Sequence, residues 1–306
     1  MNELMTFFTD YTLRNVMIGT MLLGLGSGFI GSFALLRRQS LLGDAISHAA
    51  LPGVVIAFML TGTKSTAVLL IGAGISALIG TIIISEIIRN TKIDTDGAQG
   101  IVLGVFLGLG FLLLTQVQKS PNAAKAGLDK FIFGQAATIM QKDVIVILII
   151  ELVITLLISL FWKELKLSTF DKDSATVQGF SPRVMEFIFI GLIVAAIVVG
   201  IQTVGVILMS ALLIAPAAAA RQWTNKLGTL CLLSSLFGGI SGVIGSIISI
   251  NIPKLSTGPV IVLVLTAIAV VSIVFSPNRG LLQKLFRFYR VRRKVINTKK
   301  EEKAWN

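Results

Sequence analysis

The chain has 306 residues, 54% of them hydrophobic and only 14% charged, with a mean hydropathy of +0.88. Soluble domains carry about 25% charge, so these values exclude an ordinary water-soluble globule and describe a polytopic membrane protein. Its formal charge of +12 would raise nucleic-acid binding in a soluble chain, but in a membrane protein the placement of the bases matters more than their sum.

Taken in chain order, the first residues, MNELMTFFTDYTLRN, carry two acids before any base and no cleavage-site pattern, so no cleaved signal peptide is expected. A bilayer core of about 30 Å needs about 20 largely apolar residues per helix. The predicted spans are Val16–Leu36, Leu41–Leu60, Thr66–Ile88, Ala98–Val117, Val144–Trp162, Met185–Gln202, Val204–Ala220, Leu230–Ile250 and Gly258–Phe275. Eight spans is the alternative, because no polar loop separates Met185–Gln202 from Val204–Ala220. The stretch Pro121–Gln141 is too polar to span and reads as a re-entrant or interfacial segment. The expected architecture is an all-α bundle of eight or nine spans, one transmembrane domain over residues 1–278 with a basic tail over 279–306. Cys231, the only cysteine, excludes an intramolecular disulfide and a Cys-rich metal site.

Placing the Arg37-Arg38 turn inside puts 20 of the 27 Lys and Arg residues on the cytoplasmic side. The positive-inside rule then sets the N-terminus outside and the C-terminus in the cytoplasm. The tail holds ten bases against two acids, a pattern of an orientation anchor or anionic-lipid contact rather than a nucleic-acid site.

Several motifs carry no chemistry here. Gly26-Ser27-Gly28-Phe29-Ile30-Gly31 matches the dinucleotide fingerprint but lies inside an apolar span, where no strand precedes it. The pairs Gly24/Gly28, Gly104/Gly108 and Gly238/Gly242 are read as close-packing seams between helices. No phosphate-binding loop, HExxH or GxSxG sequence occurs, so a partner subunit or an ion gradient must supply the energy for any transport.

Ionisable groups inside a bilayer cost at least about 2.5–3.5 kcal/mol and usually face the bundle interior. Asp44 and His48, the only histidine, stand four residues apart and therefore share one helical face. One hard oxygen and one imidazole nitrogen suit manganese, iron or zinc; the plainer alternative is a buried hydrogen bond that fixes the helix. Pro52, one turn on, removes a backbone hydrogen bond beside His48. Glu151, mid-span, is a possible accessory ligand, proton acceptor or desolvated carboxyl. Two ligands do not complete a coordination shell, so other helices, carbonyls or water must contribute.

Between the fifth and sixth spans, Asp171 or Asp173 can cap a short helix over Ser174–Gln178 that Gly179 closes and Pro182 stops. Such a helix would present Val177 and Phe180 to a groove in another protein, with an ordinary capped loop as the alternative.

The sequences LLRRQSLLGDAISHAALPG (Leu35–Gly53), IDTDGAQGIVLG (Ile93–Gly104), GLDKFIFGQAATI (Gly127–Ile139), FDKDSATVQGFSP (Phe170–Pro182), QTVGVILMSALLIAPAAAAR (Gln202–Arg221) and LSTGPVIVLV (Leu255–Val264) resemble, in order, the integral membrane permeases of bacterial ABC transporters for manganese, zinc and iron. The third segment looks most like the manganese branch. The resemblance implies a multi-pass permease of the bacterial cytoplasmic membrane that is not itself an enzyme. Two such subunits, identical or related, would form the pore, cytoplasmic ATPase subunits would drive it, and an extracellular metal-binding protein would deliver the ion. The metal would be cargo and no cofactor would be held permanently. The family's GD-x-x-SHA motif falls on Gly43, Asp44, Ser47, His48 and Ala49, which carries the metal pathway onto Asp44 and His48. Its ATPase-contacting segment falls on Ala175–Pro182, within a coupling segment that takes in Asp171, Asp173, Ala175, Val177, Gln178, Gly179, Phe180 and Pro182; Gln178 stands where the family has a small residue. The expected mechanism is alternating access past Asp44 and His48. The competing readings are a proton-coupled secondary metal transporter using Asp44, His48 and Glu151 without an ATPase, and a membrane scaffold that transports nothing.

Overall fold

The computed structural model describes residues 11–63, 65–119, 134, 139–252, 255–277 and 280–283. Eleven α-helices run through the described residues: α1 (Tyr11–Leu36), α2 (Leu42–Thr61), α3 (Thr66–Asn90), α4 (Thr95–Lys119), α5 (Gln141–Leu160), α6 (Trp162–Phe170), α7 (Lys172–Val177), α8 (Pro182–Val204), α9 (Val206–Trp223), α10 (Leu227–Asn251) and α11 (Thr257–Phe275). No strand occurs among the described residues. Eight helices, all but α6, α7 and α9, are long and apolar enough to cross a membrane. At 18 residues, α9 is about 27 Å long. Nearly all of the proposed 121–141 segment and of the tail lies outside the described residues.

The absent polar loop after Gln202 is explained by a single glycine. Gly205, at φ +92° and ψ 162°, adopts a backbone that side-chain-bearing residues avoid, and it separates α8 from α9. The thioether of Met209 occupies the place where a Cβ on Gly200 would lie, 2.2 Å from its sulfur. Nine residues of straight helix would put those two positions about 13 Å apart, so α9 folds back over the end of α8.

Among helices in a membrane, close backbone approach and interhelical hydrogen bonds replace the hydrophobic effect as the source of association. The most extensive contact, between α1 and α10, has that construction. A Cβ on Gly24 would lie 2.2 Å from the Gly238 carbonyl oxygen, one on Gly28 would lie 2.4 Å from that of Ser234, and one on Gly242 would lie 2.5 Å from that of Thr20. Ser234 Oγ donates to the Gly28 carbonyl at 2.6 Å, and Thr20 Oγ1 reaches the Gly242 carbonyl at 3.1 Å and Ser246 Oγ at 2.8 Å. Gly53 and Gly72 interlock α2 with α3 in the same way, beside a Ser76 hydroxyl that donates to the Ala49 carbonyl at 2.6 Å. Gly104 and Gly108 depart from the expectation: among the described residues nothing lies within 4 Å of the Cβ positions at either, so this pair forms no seam with the described helices.

The antiparallel α1–α10 pairing places the Lys226 end of α10 beside the Arg37 end of α1. Arg37 itself bonds α6, Arg89 and Arg183 border one groove between α3 and α8, and Ser276 bonds the Gln222 carbonyl. The segments assigned to the basic side therefore gather at one end of the bundle.

Candidate functional site

The chain turns from α1 into α2 without a loop. Arg38 takes a left-handed backbone (φ +58°), and the amides of Arg38 and Gln39 bond the carbonyls of Leu35 and Ala34 at 3.2 and 3.0 Å, closing α1 in a Schellman pattern. Leu42 N then bonds the Gln39 carbonyl and α2 begins. Asp44 sits in its first turn, where the helix dipole favours a carboxylate. One turn further on, His48 Nε2 stands 3.4 Å from Asp44 Oδ1.

From residue 42 to 55 every residue of α2 is buried except these two. The Asp44 side chain is 33% exposed and that of His48 12%, so the pair forms the one accessible stripe on the otherwise enclosed stretch 42–55. His48 Nδ1 is buried with no hydrogen-bond partner among the described residues. Pro52 has no N–H to offer the His48 carbonyl four residues before it, which leaves that oxygen without its helical donor. The Ser210 hydroxyl of α9 faces the Asp44 carboxylate, and α9 comes this close because Gly43 has no side chain: its Cβ position lies 2.7 Å from Leu213 Cδ2. Sequence reading missed Ser210, whose only signal was a hydroxyl in an apolar helix. A tetrahedral divalent cation with ligand bonds of about 2.0–2.1 Å spans about 3.3 Å between two ligands, close to the separation observed.

Glu151 is not brought to this pair. It is 5% exposed, has no hydrogen-bond partner at either carboxyl oxygen, and packs on Gly26 of α1, whose Cβ position coincides with the carboxylate. It lines a lateral groove of about 490 Å³ with Phe29, Leu152, Thr155 and Ser235. No group of three or more His, Cys, Asp or Glu suited to a metal occurs among the described residues.

The short segment after the fifth span is helical, as α7. Asp171, not Asp173, caps it: its carboxylate accepts from Ser174 N at 2.9 Å and from Ser174 Oγ at 2.5 Å, and these bonds hold its carboxyl below the usual carboxylate range. The helix runs over Lys172–Val177, starting two residues and ending one residue earlier than the sequence suggests. Gly179 at φ +86° closes it, with Gly179 N on the Thr176 carbonyl and Phe180 N on the Ala175 carbonyl, both at 3.0 Å. Val177 is 89% exposed, while Phe180 is half-buried and Ala175 buried. Gln178 lies exposed, so a longer side chain there meets no steric obstacle. Pro182 is the first residue of α8, where its fixed φ suits a helix start.

Arg37, read from sequence only as an orientation marker, proves to be a tertiary contact. Its guanidinium bonds Thr169 and Ser168 of α6 and stacks over the Phe189 ring of α8 with the guanidinium carbon 4.1 Å from the ring centroid. Burial lowers its pKa to about 10, which leaves it charged at neutral pH.

Comparison with known proteins bears on this geometry. The profile of the ABC 3 transport family matches residues 9–276. The zinc transport system membrane protein TroC of Treponema pallidum is 69% identical over 291 residues, covering 95% of this chain and 98% of that protein. The manganese transport system membrane protein MntC of Bacillus subtilis is 46% identical over 280 residues, 92% of this chain and 64% of MntC. Among solved structures, PsaBC from Streptococcus pneumoniae in complex with Fab superposes with a TM-score of 0.80 at 32% identity, over 92% of this chain and 97% of that one. An ABC transporter described as of the metal-chelate type, in an inward-facing conformation, superposes at 0.68 with 15% identity over 85% of each chain, a likeness of fold alone.

Proposed function

Because the chain belongs to the ABC 3 transport family and is thus a multi-pass permease subunit whose ATP is hydrolysed in a separate ATPase subunit, we propose that its cargo is a divalent transition metal passing Asp44 and His48. The observation that carries this reading is the accessible Asp44–His48 stripe, with an oxygen and a nitrogen 3.4 Å apart on a helix otherwise buried from 42 to 55. Manganese is the first candidate, from the likeness of Gly127–Ile139 to that branch. The 69%-identical relative is named for zinc, and an oxygen–nitrogen pair suits either ion, so both belong in the test, with iron as the third competitor.

Two side chains hold half of the four-ligand shell that zinc takes and a third of an octahedral manganese shell. A second permease subunit, identical or related, supplies the rest on this reading, and an extracellular metal-binding protein delivers the ion. The exposed α7 segment, Asp171–Pro182, docks on the ATPase. The basic end of the bundle lies in the cytoplasm together with the tail 279–306, which contacts anionic lipid, and the N-terminus lies outside.

The test is isotope uptake in proteoliposomes containing the permease and its ATPase, with manganese, zinc and iron in competition. ATP-driven uptake is expected, lost in His48→Ala and Asp44→Asn while the complex stays assembled. Uptake driven by a proton gradient without the ATPase would establish a secondary transporter, and unchanged uptake in His48→Ala would remove the pair from the pathway.

A further inference from the structure

We propose that Arg37 is the positioning residue that transmits movement of the ATPase-docking segment to the helix bearing Asp44 and His48; this rests on the permease reading above. Arg37 joins three parts of the chain at one guanidinium. Its backbone begins the tight turn into α2, and Asp44 follows seven residues later. Its Nε donates to Thr169 Oγ1 at 3.0 Å and its Nη2 to Ser168 Oγ at 2.9 Å, in the last turn of α6. Asp171, the cap of α7, comes two residues after Thr169. Its flat face lies over Phe189 of α8, the helix into which α7 leads. One side chain therefore grips the elements before and after the docking helix.

The acceptors are themselves oriented. Thr169 Oγ1 donates to the Leu165 carbonyl at 2.6 Å and Ser168 Oγ to the same carbonyl at 3.2 Å, so both hydroxyl protons are committed and the oxygen lone pairs are left for the guanidinium. Trp162, at the start of α6, packs edge-on against Phe33 of α1 with ring centroids 5.6 Å apart, which fixes the other end of α6 to the same helix. Neither partner of Arg37 is a carboxylate, and among the described residues it makes no ion pair. Glu186 of α8 acts on it through charge without forming an ion pair, so the hydroxyls and the ring set the direction of the guanidinium. A guanidinium held by neutral hydroxyls and a ring is directional, because its fork and its face are used together. A polar cavity of about 230 Å³ beside it is walled by Arg38 and Gln39 of the turn, Ser168 and Thr169 of α6, and Pro182 and Glu186 of α8, with Lys172 of α7, so the same three elements meet again, together with the docking helix, around a space that admits water.

The test compares Arg37→Gln and Arg37→Lys with the unsubstituted permease–ATPase complex in proteoliposomes, reading metal uptake and ATP hydrolysis from the same vesicles. ATP hydrolysis and assembly are expected to stay within about twofold, while ions moved per ATP fall about tenfold or more for Arg37→Gln. Lysine, which has no fork and no planar face, should not restore the ratio. A Ser168→Ala, Thr169→Val double variant removes the acceptors without touching Arg37 and should lower the same ratio. Combined with Arg37→Gln it should lower it no further, as coupled groups are non-additive. Should Arg37→Gln fail to accumulate, the acceptor variant alone decides. An unchanged ratio in a complex whose unsubstituted form transports overturns this inference alone. Absence of ATP-driven uptake in the unsubstituted complex overturns the permease reading and takes this inference with it.

Discussion

Gly24→Ala tests the physical basis of the fold most directly. The added methyl would stand 2.2 Å from the Gly238 oxygen, 2.4 Å from its carbonyl carbon and 2.9 Å from the Gly239 nitrogen. All three are backbone atoms, so no rotamer change relieves the clash and the two helices must separate by roughly 1 Å to regain ordinary contact. That movement stretches three bonds across the seam, Ser234 to the Gly28 carbonyl at 2.6 Å, Thr20 to the Gly242 carbonyl at 3.1 Å and Thr20 to Ser246 at 2.8 Å. At about 0.6 kcal/mol for an average interhelical bond in a membrane, the three account for about 2 kcal/mol, and lost contact along the seam takes the total to about 2–4 kcal/mol. The assay is the fraction of purified protein that stays monodisperse in detergent after heating. Gly104→Ala is the control, because its methyl meets nothing within 4 Å and alanine is the better helix former. A Gly24→Ala protein as heat-resistant as the unsubstituted chain, or a Gly104→Ala protein equally impaired, would refute the reasoning.

Gly179→Pro removes both the left-handed closure (φ +86°) and the amide that bonds Thr176, so it should abolish ATPase association, measured by co-purification, while the protein still inserts in the membrane. Asp171→Ala should weaken the same association. The depressed Asp171 pKa gives this cap a sign: its contribution is present above the ordinary carboxylate pKa of about 3.9 and is lost only as pH falls through the lower folded value. Association measured between about pH 5 and 8 should therefore show no loss from this group. Glu151→Gln should leave metal uptake and protein abundance unchanged, since the carboxylate makes no hydrogen bond and stands apart from the Asp44–His48 pair; a loss of uptake selective for one metal would return Glu151 to the pathway.

The spans were legible because bilayer thickness imposes a run of about 20 apolar residues whatever the tertiary packing. Their ends were less so: residues 11–15 are already helical ahead of the apolar run, and Asn15 among them is buried in the bundle. Four-residue glycine spacing identified faces that permit close approach without saying what approaches them. Gly24 and Gly238 meet within the chain, whereas Gly104 has the same spacing and meets none of the described residues. The Asp44–His48 pairing was readable since residues i and i+4 share a face on any α-helix. Choosing Asp171 over Asp173 as the cap required knowing which carboxylate met Ser174 N, and the spacing from Asp171 to Ser174 is the N-cap to N3 interval that supplies this bond. Arg37 was opaque, because its partners lie 131, 132 and 152 positions further along the chain and nothing local to the Arg37-Arg38 pair announces them.

The placement of the pair also bears on what must face it. A charged side chain turned to lipid is costly, by about 2.5–3.5 kcal/mol at a bilayer centre and less near a helix end, and Asp44, in the first turn of α2, leaves a third of its side chain uncovered by its own chain. α2 carries the pair among neighbours α3, α4 and α9, and on α9 Ser210, Ile214 and Ala218 recur at four-residue spacing, all half-buried. Ser210 and Ala218 are small, with Ile214 between them, so this half-buried face has apolar and small side chains to offer another helix. On the proposed reading, a two-fold pairing of permease subunits over this surface sets one Asp–His pair opposite its counterpart, and four ligands then surround the ion in the number a tetrahedral site requires. The same pairing removes the lipid cost at Asp44. One subunit alone therefore exposes a charge with half a coordination shell, and the energetic fault at Asp44 and the missing ligands call for the same remedy.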